Sequence, residues 1–426
     1  MLRAIIFLAL AVFAASEKAS FQNYKVFRVT PENDQQLELL RQLENLQGYS
    51  FWREPSQLSL SSDVMVAPAQ LPEFLDLLNS TGLAYETYIS DVQRLIDEEN
   101  PPEDATSTLR AVENFGWNRY HSLEDMYVWM DSLARSYPAK VSLIVGGKTY
   151  QGREIRGVKL SFGGARVERP GIFIEGGIHA REWISPATVT YLIDRLVRSE
   201  NSEVRRLAEA YDWYIIPSFN PDGYVYSQTS NRMWRKTVSK GNYFCKGTDA
   251  NRNWNYNWNG GGASRNPCAE DYGGSTVFSE IETRTLSQYI KSIGDKLFAY
   301  ISFHSYSQLL IIPYCDTKKH IGNYNQTYAI GRKALDALSA IHGTRYKIGN
   351  AYETVGYFAS GSSSDWVKST FKLPLVYTYE LRDTGRNGFI LPASQIIPNA
   401  EEVLASLIAM FSEASKYGYP KPQQSV

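Results

Sequence analysis

No block of Lys and Arg occurs anywhere in this chain, and the formal net charge is −1. A nucleic-acid partner is thereby excluded on electrostatic grounds. Beyond the N-terminus no apolar stretch approaches the length of a membrane span. No internal repeat is visible, so repeat architectures drop out. Cysteine and histidine are scarce, at three and five residues. In an oxidising compartment three cysteines form at most one intrachain bond. Cys245–Cys268 closes the shortest loop and is one candidate, with Cys315 as the odd thiol.

What is present is ordinary globular composition, 43% hydrophobic and 21% charged, with an aromatic excess that includes 29 Tyr. A length of 426 residues exceeds what one core fills, and two domains are expected. Residues 1–16, with Arg3 ahead of the apolar run Ala4–Ala15 and small residues at its end, read as a secretory signal peptide. Sequons at Asn79 and Asn325 fit a secreted chain.

Residues 17–110 read as a small α+β unit. Strands are expected at 24–30, 63–69 and 84–90, and helices at 31–48, 71–82 and 91–100. That order gives an open sandwich, a sheet with helices on one face. The stretch "NPPEDATSTLR" (100–110) is an exposed polar linker ending on Arg110, either a tether or a site for a trypsin-like protease. From Ala111 onward seven apolar runs of strand length alternate with helical patterns at 186–199, 279–294, 326–342 and 394–416. This is an α/β domain, a central sheet flanked by helices on both faces.

His-x-x-Asp/Glu spacing alone means little, because this composition yields about 0.5 such pairs by chance. His121 and Glu124 form one, but there Ser122 and Asp125 make a helix capping box. His179 and Glu182 differ. They follow the buried strand "GIFIE" and a Gly-Gly turn, with Ser185 and Pro186 expected as N-cap and first residue of the next helix. That places them at the carboxyl end of a strand, where α/β sheets bind ligands. A catalytic zinc needs a third ligand. His304 ends the strand "LFAYISF" at the same sheet edge, whereas His320 and His342 read as solvent-facing.

Seven segments in order, "GGIHAREWISPA", "NPDGY", "NRMWRKT", "DANRNW", "FHSYSQ", "YFASGSSSDW" and "ELRDTGRNGFILPASQI", resemble the zinc metallocarboxypeptidases of the A/B digestive type, secreted as proenzymes. The resemblance spans the chain and implies a zinc carboxypeptidase fold at 111–426, preceded by an activation domain. It implies one zinc ion per chain held by His179, Glu182 and His304, with Asp249 orienting His179. Glu380 would be the general base, and its place after an apolar strand predicts a raised pKa. Arg235 would polarise the scissile carbonyl. Asn251, Arg252 and Tyr357 would hold the substrate's C-terminal carboxylate, and Arg181 and Tyr306 the upstream peptide.

Cys245 and Cys268 match the family's disulfide, and Arg110 becomes the expected activation cut. Ser364 stands where the family selects the substrate side chain, yet it is neither acidic, basic nor a large aliphatic. With Ile311, Cys315, Tyr352, Ala359 and Thr378 around it, the pocket carries no charge. A preference for neutral aliphatic or aromatic C-terminal residues follows. A B-like preference for Lys or Arg, a silent peptide-binding relative and a deacylase on the same scaffold are the rival readings. The expected partners are peptide chain ends and an activating trypsin-like protease, with no membrane and a monomeric state.

Overall fold

The computed structural model describes residues 18–44, 46–101, 115–163, 169–241 and 245–420. The expected signal peptide and Arg110 lie outside these residues. Among the described residues two sheets organise the fold.

The first contains β1 (Lys25–Thr30), β2 (Tyr49–Arg53), β3 (Ser62–Val66) and β4 (Ala84–Ile89), antiparallel in the order β2-β3-β1-β4. Alternate residues face opposite ways. Phe27, Val64 and Val66 pack with Leu40, Phe74 and Leu78 of the two helices Asp34–Leu43 and Leu71–Thr81. Val26 and Met65 point to the other face, where they join Met233, Tyr306 and Phe389 of the second unit. The open sandwich is therefore closed by the rest of the protein.

The second sheet contains β5 (Val141–Lys148), β6 (Glu154–Leu160), β7 (Gly171–Gly176), β8 (Asp212–Ile216), β9 (Leu297–Ser305), β10 (Leu309–Ile311), β11 (Lys347–Gly349) and β12 (Leu375–Leu381). Their order is β11-β10-β12-β9-β7-β8-β6-β5. The central strands β12, β9, β7 and β8 run parallel. Both faces are covered, as a buried parallel sheet requires. Ile172, Ile174, Phe303 and Trp213 pack against helices Ile184–Arg198 and Ile396–Lys416. Phe173, Tyr214 and Tyr300 face Leu286 and Trp366 of helices Ile281–Ile293 and Ser363–Phe371. The fold is the expected mixed α/β architecture. Among the described residues no helix is long and apolar enough to cross a membrane.

Three local expectations are corrected. A strand at Tyr49–Arg53 was not foreseen, because five residues without clear alternation are held by pairing with β3 rather than by their own pattern. The run 309–314 keeps only three strand residues. Ser185 is not an N-cap: the helix begins at Ile184, and the Ser185 hydroxyl accepts from Gly177 N–H at 2.9 Å and donates to Phe303 O at 2.6 Å. It ties the loop to β9 instead of capping a helix. The capping box of Ser122 and Asp125 forms as expected.

Candidate active site

Because β12, β9 and β7 are adjacent and parallel, their carboxyl ends deliver side chains to one place. Past β7 the chain turns at Gly177, whose φ of 68° is in the left-handed region glycine tolerates. The loop then presents His179 and Glu182. His304 is the penultimate residue of β9, and Glu380 lies directly beside it in register on β12. The expectation that a strand end and a loop far apart in sequence share one edge of the sheet is met.

His179, Glu182 and His304 are buried, and one ligand atom of each lies within 4.8 Å of the others. His179 Nε2 donates to Asp249 Oδ1 at 3.1 Å. In the neutral ring Nδ1 then carries a lone pair. That lone pair faces Glu182 Oε1 at 2.7 Å and His304 Nδ1 at 3.1 Å. Glu182 Oε2 lies 3.2 Å from His304 Nδ1. Three electron-pair donors converging in a buried space repel one another unless they share a cation. Two imidazoles and one carboxylate are a catalytic-zinc donor set, and the residues fit that ion.

Asp249 is fully buried and organises the neighbouring charges. Its Oδ2 accepts from Arg235 Nη2 at 2.8 Å, and its Oδ1 from the Asn251 backbone N–H at 2.8 Å. Burial acts to raise its pKa, but Arg235, His179 and Arg252 overcome this and hold the carboxyl well below its usual range. Glu182 is likewise pulled down: burial opposes ionisation, and His179 and His304 outweigh it. Glu380 goes the other way. Burial pushes its carboxyl up to about 8, with His304 opposing and Glu182 assisting. The contrast separates a permanent carboxylate from one able to exchange protons near neutrality.

One pocket is lined by His179, Glu182, His304, Arg235 and Glu380, and also by Asn251, Arg252, Tyr306, Tyr357 and Ser364. Arg252 is buried and donates from Nε to Gly262 O at 2.6 Å. Asn251 Oδ1 accepts from Ser363 N–H at 3.0 Å, joining it to the start of the helix that carries Ser364. Arg181 lies outside that lining. It stacks 4.1 Å over the Phe389 ring, and its Nη1 donates to Glu270 Oε2 at 3.3 Å. Cys245 and Cys268 are bonded, and Cys315 is free and buried against the pocket. His320 and His342 pair with Glu353 and Glu401 near the surface, away from the site.

Other residues at the site were not anticipated. Trp52 and Arg53 of the first unit line the same pocket, so that unit sits over it. Tyr306 Oη donates to Asp63 Oδ2 at 2.8 Å, and Asp63 also binds Arg28. Arg232, buried 3.8 Å over the Trp183 ring, donates from Nε to Glu99 Oε2 at 2.6 Å. The Arg232–Glu99 and Tyr306–Asp63 pairs join residues 133 and 243 positions apart and leave no local signal.

Residues 126–406 match the family described as zinc carboxypeptidase, and residues 27–99 match the carboxypeptidase activation peptide. The chain belongs to the zinc carboxypeptidase family. It is 45% identical to zinc carboxypeptidase A 1 of Anopheles gambiae over 98% of this chain and 95% of that protein. It is 35% identical to human carboxypeptidase A1, over 98% of this chain and 100% of that one. The crystal structure of carboxypeptidase A from Helicoverpa armigera superposes with a TM-score of 0.82 at 25% identity, covering 93% of this chain and 98% of that one. This zinc carboxypeptidase thus carries its activation peptide in the same chain, and that unit covers the pocket.

Proposed function

We propose that this zinc carboxypeptidase is a secreted proenzyme that, once cut at Arg110, removes neutral aliphatic or aromatic residues from peptide C-termini. The observation that carries the reading is one pocket holding a zinc donor set, a carboxyl with a raised pKa and buried guanidinium groups. Residues 17–110 act as the activation domain and 111–426 as the enzyme.

His179, Glu182 and His304 would hold one zinc ion, which when bound would supply Lewis-acid activation. Asp249 fixes the tautomer and orientation of His179. Glu380 takes a proton from the attacking water and returns it to the departing amine, roles suited to a carboxyl pushed up to about 8. Arg235 donates to the developing oxyanion. Asn251, Arg252 and Tyr357 hold the C-terminal carboxylate, which restricts attack to the chain end, and Arg181 and Tyr306 hold the upstream residues. Ser364 would form the side-chain pocket together with Ile311, Cys315, Ala359 and Thr378, none of which carries a charge.

Secretion is supported by the N-terminal apolar run, by the Cys245–Cys268 bond and by sequon residues Asn79 and Asn325 that are both exposed. A trypsin-like protease is the activator, and the enzyme works as a monomer. The test is C-terminal residue release from peptides ending in Phe, Leu, Lys and Glu after trypsin treatment, with and without a zinc chelator. Chelator-sensitive release from Phe and Leu ends is expected. Release from Lys ends alone overturns the side-chain preference; no release from any peptide overturns the enzyme reading.

A further inference from the structure

The face of β9 that carries His304 meets a further buried carboxyl. Along β9, Tyr300, Ser302 and His304 alternate onto one face of the sheet. Glu175 of β7 stands opposite Ser302 in register. It shares that face, because Phe173, two residues before it, stacks on Tyr300 with ring centroids 5.6 Å apart. Glu380 flanks His304 from the other neighbouring strand, β12. Glu175 is fully buried. Its Oε1 accepts from Ser302 Oγ at 3.0 Å and from Ser363 Oγ at 2.9 Å. Its Oε2, equally buried, has no hydrogen-bond partner. His304 Nδ1 faces His179 and Glu182, whereas its Nε2 is buried and without a partner too. Burial raises the Glu175 pKa, and the charge of His304 works against that rise, so the two groups lie within electrostatic reach.

We propose that Glu175 is a positioning residue for His304: with zinc bound, its free oxygen accepts the hydrogen bond of His304 Nε2–H, directly or across one water. It would do for His304 what Asp249 does for His179, and the proposal rests on His304 being a zinc ligand. An imidazole that gives its Nδ1 lone pair to a metal carries its proton on Nε2, and a buried N–H needs an acceptor. A carboxylate in that place fixes the ring and raises its basicity. The other two carboxyls near His304 are engaged elsewhere. Glu182 is turned to Nδ1, 3.2 Å away, and Glu380 lines the substrate pocket. Glu175 lies outside that lining, is held in place by two serines, and keeps one oxygen idle. A buried carboxyl with an idle oxygen is costly until a partner arrives, and a metal-bound imidazole is such a partner.

The test uses the full chain, stripped of metal and reloaded, and reads metal binding rather than peptide release. Glu175→Gln keeps the shape and loses the charge, and competition with a chelator of known affinity is expected to show zinc bound about 10-fold more weakly. Glu175→Leu also loses the acceptor, and the loss is expected to reach about 100-fold. In the cobalt-loaded chain the visible absorption bands should move in the same order, because the basicity of His304 is what changes. Zinc affinities equal to that of the unaltered chain overturn the proposal. Weaker affinities with unmoved cobalt bands overturn it as well, since they would mean a general loosening of the sheet. An unaltered chain that fails to bind zinc overturns instead the ligand assignment of His304.

Discussion

Glu99 and Arg232 form an ion pair across the two units, both side chains almost completely buried. Arg232 also donates to the backbone oxygens of Arg181 and Phe389, at 2.8 and 2.7 Å. The last helix of the activation unit, Val92–Glu98, ends immediately before this carboxylate. The pair thus joins the exit of the activation unit to the wall beside the active site.

Breaking that pair leaves an uncompensated cation in the interface. Glu99→Gln in the uncut chain is expected to lower stability by about 3–5 kcal/mol, the range for a buried pair stripped of one partner. Denaturant unfolding of the uncut protein measures it. Peptide release before trypsin treatment should rise at the same time. An unchanged midpoint and unchanged basal activity would show that the pair does not hold the units together.

Replacing the proposed base separates chemistry from binding. Glu380→Gln keeps the shape of the site and all three ligand residues. A fall in kcat of about 10²–10⁴-fold is expected, with zinc content unaltered. Loss of zinc in the variant would assign Glu380 a structural part instead.

The proposed role of Asp249 is to act through His179 rather than on the substrate. Asp249→Asn is expected to weaken zinc binding about 10- to 100-fold by releasing the ring from its orientation. Competition with a chelator of known affinity reads this directly, without reference to activity. An unchanged affinity would leave Asp249 only its bonds to Arg235 and Asn251.

The zinc-free chain should be most stable in mildly acidic solution. Burial raises Glu44 and Asp365 to about 8 and Glu282 to about 7, from 4.5 for Glu and 3.8 for Asp. A raised carboxyl binds more protons in the folded state, so its contribution is complete below the unfolded pKa and is lost as pH climbs to the folded value. Stability should therefore decline from about pH 5 to 8. Glu182 and Asp249 are lowered, and their contribution disappears as pH falls below the ordinary carboxyl range. Melting temperature against pH follows the curve, and Glu282→Gln should flatten its decline up to about pH 7. A midpoint that rises between pH 5 and 8 contradicts the assignment.

Much of the site was legible as residue types in context. His179 and Glu182 stood out from the decoy His121 and Glu124 because a buried strand and a glycine turn preceded them. His304 and Glu380 each ended an apolar strand, and the sheet order places those strands side by side. Ser185 was misread because its hydroxyl satisfies a contact on β9, which no local rule reveals.

Strand and helix periodicities are local, and they determined the α/β class, the open sandwich and the edge at which the ligands gather. The neighbours of those side chains depended on the tertiary structure. Arg232 finds Glu99 across 133 positions, and Tyr306 finds Asp63 across 243. Burial of a charge demands a partner, but it does not say where in the chain that partner lies. Only the packing of the activation unit against the second sheet answers that, because it removes water from both sides of each pair at once.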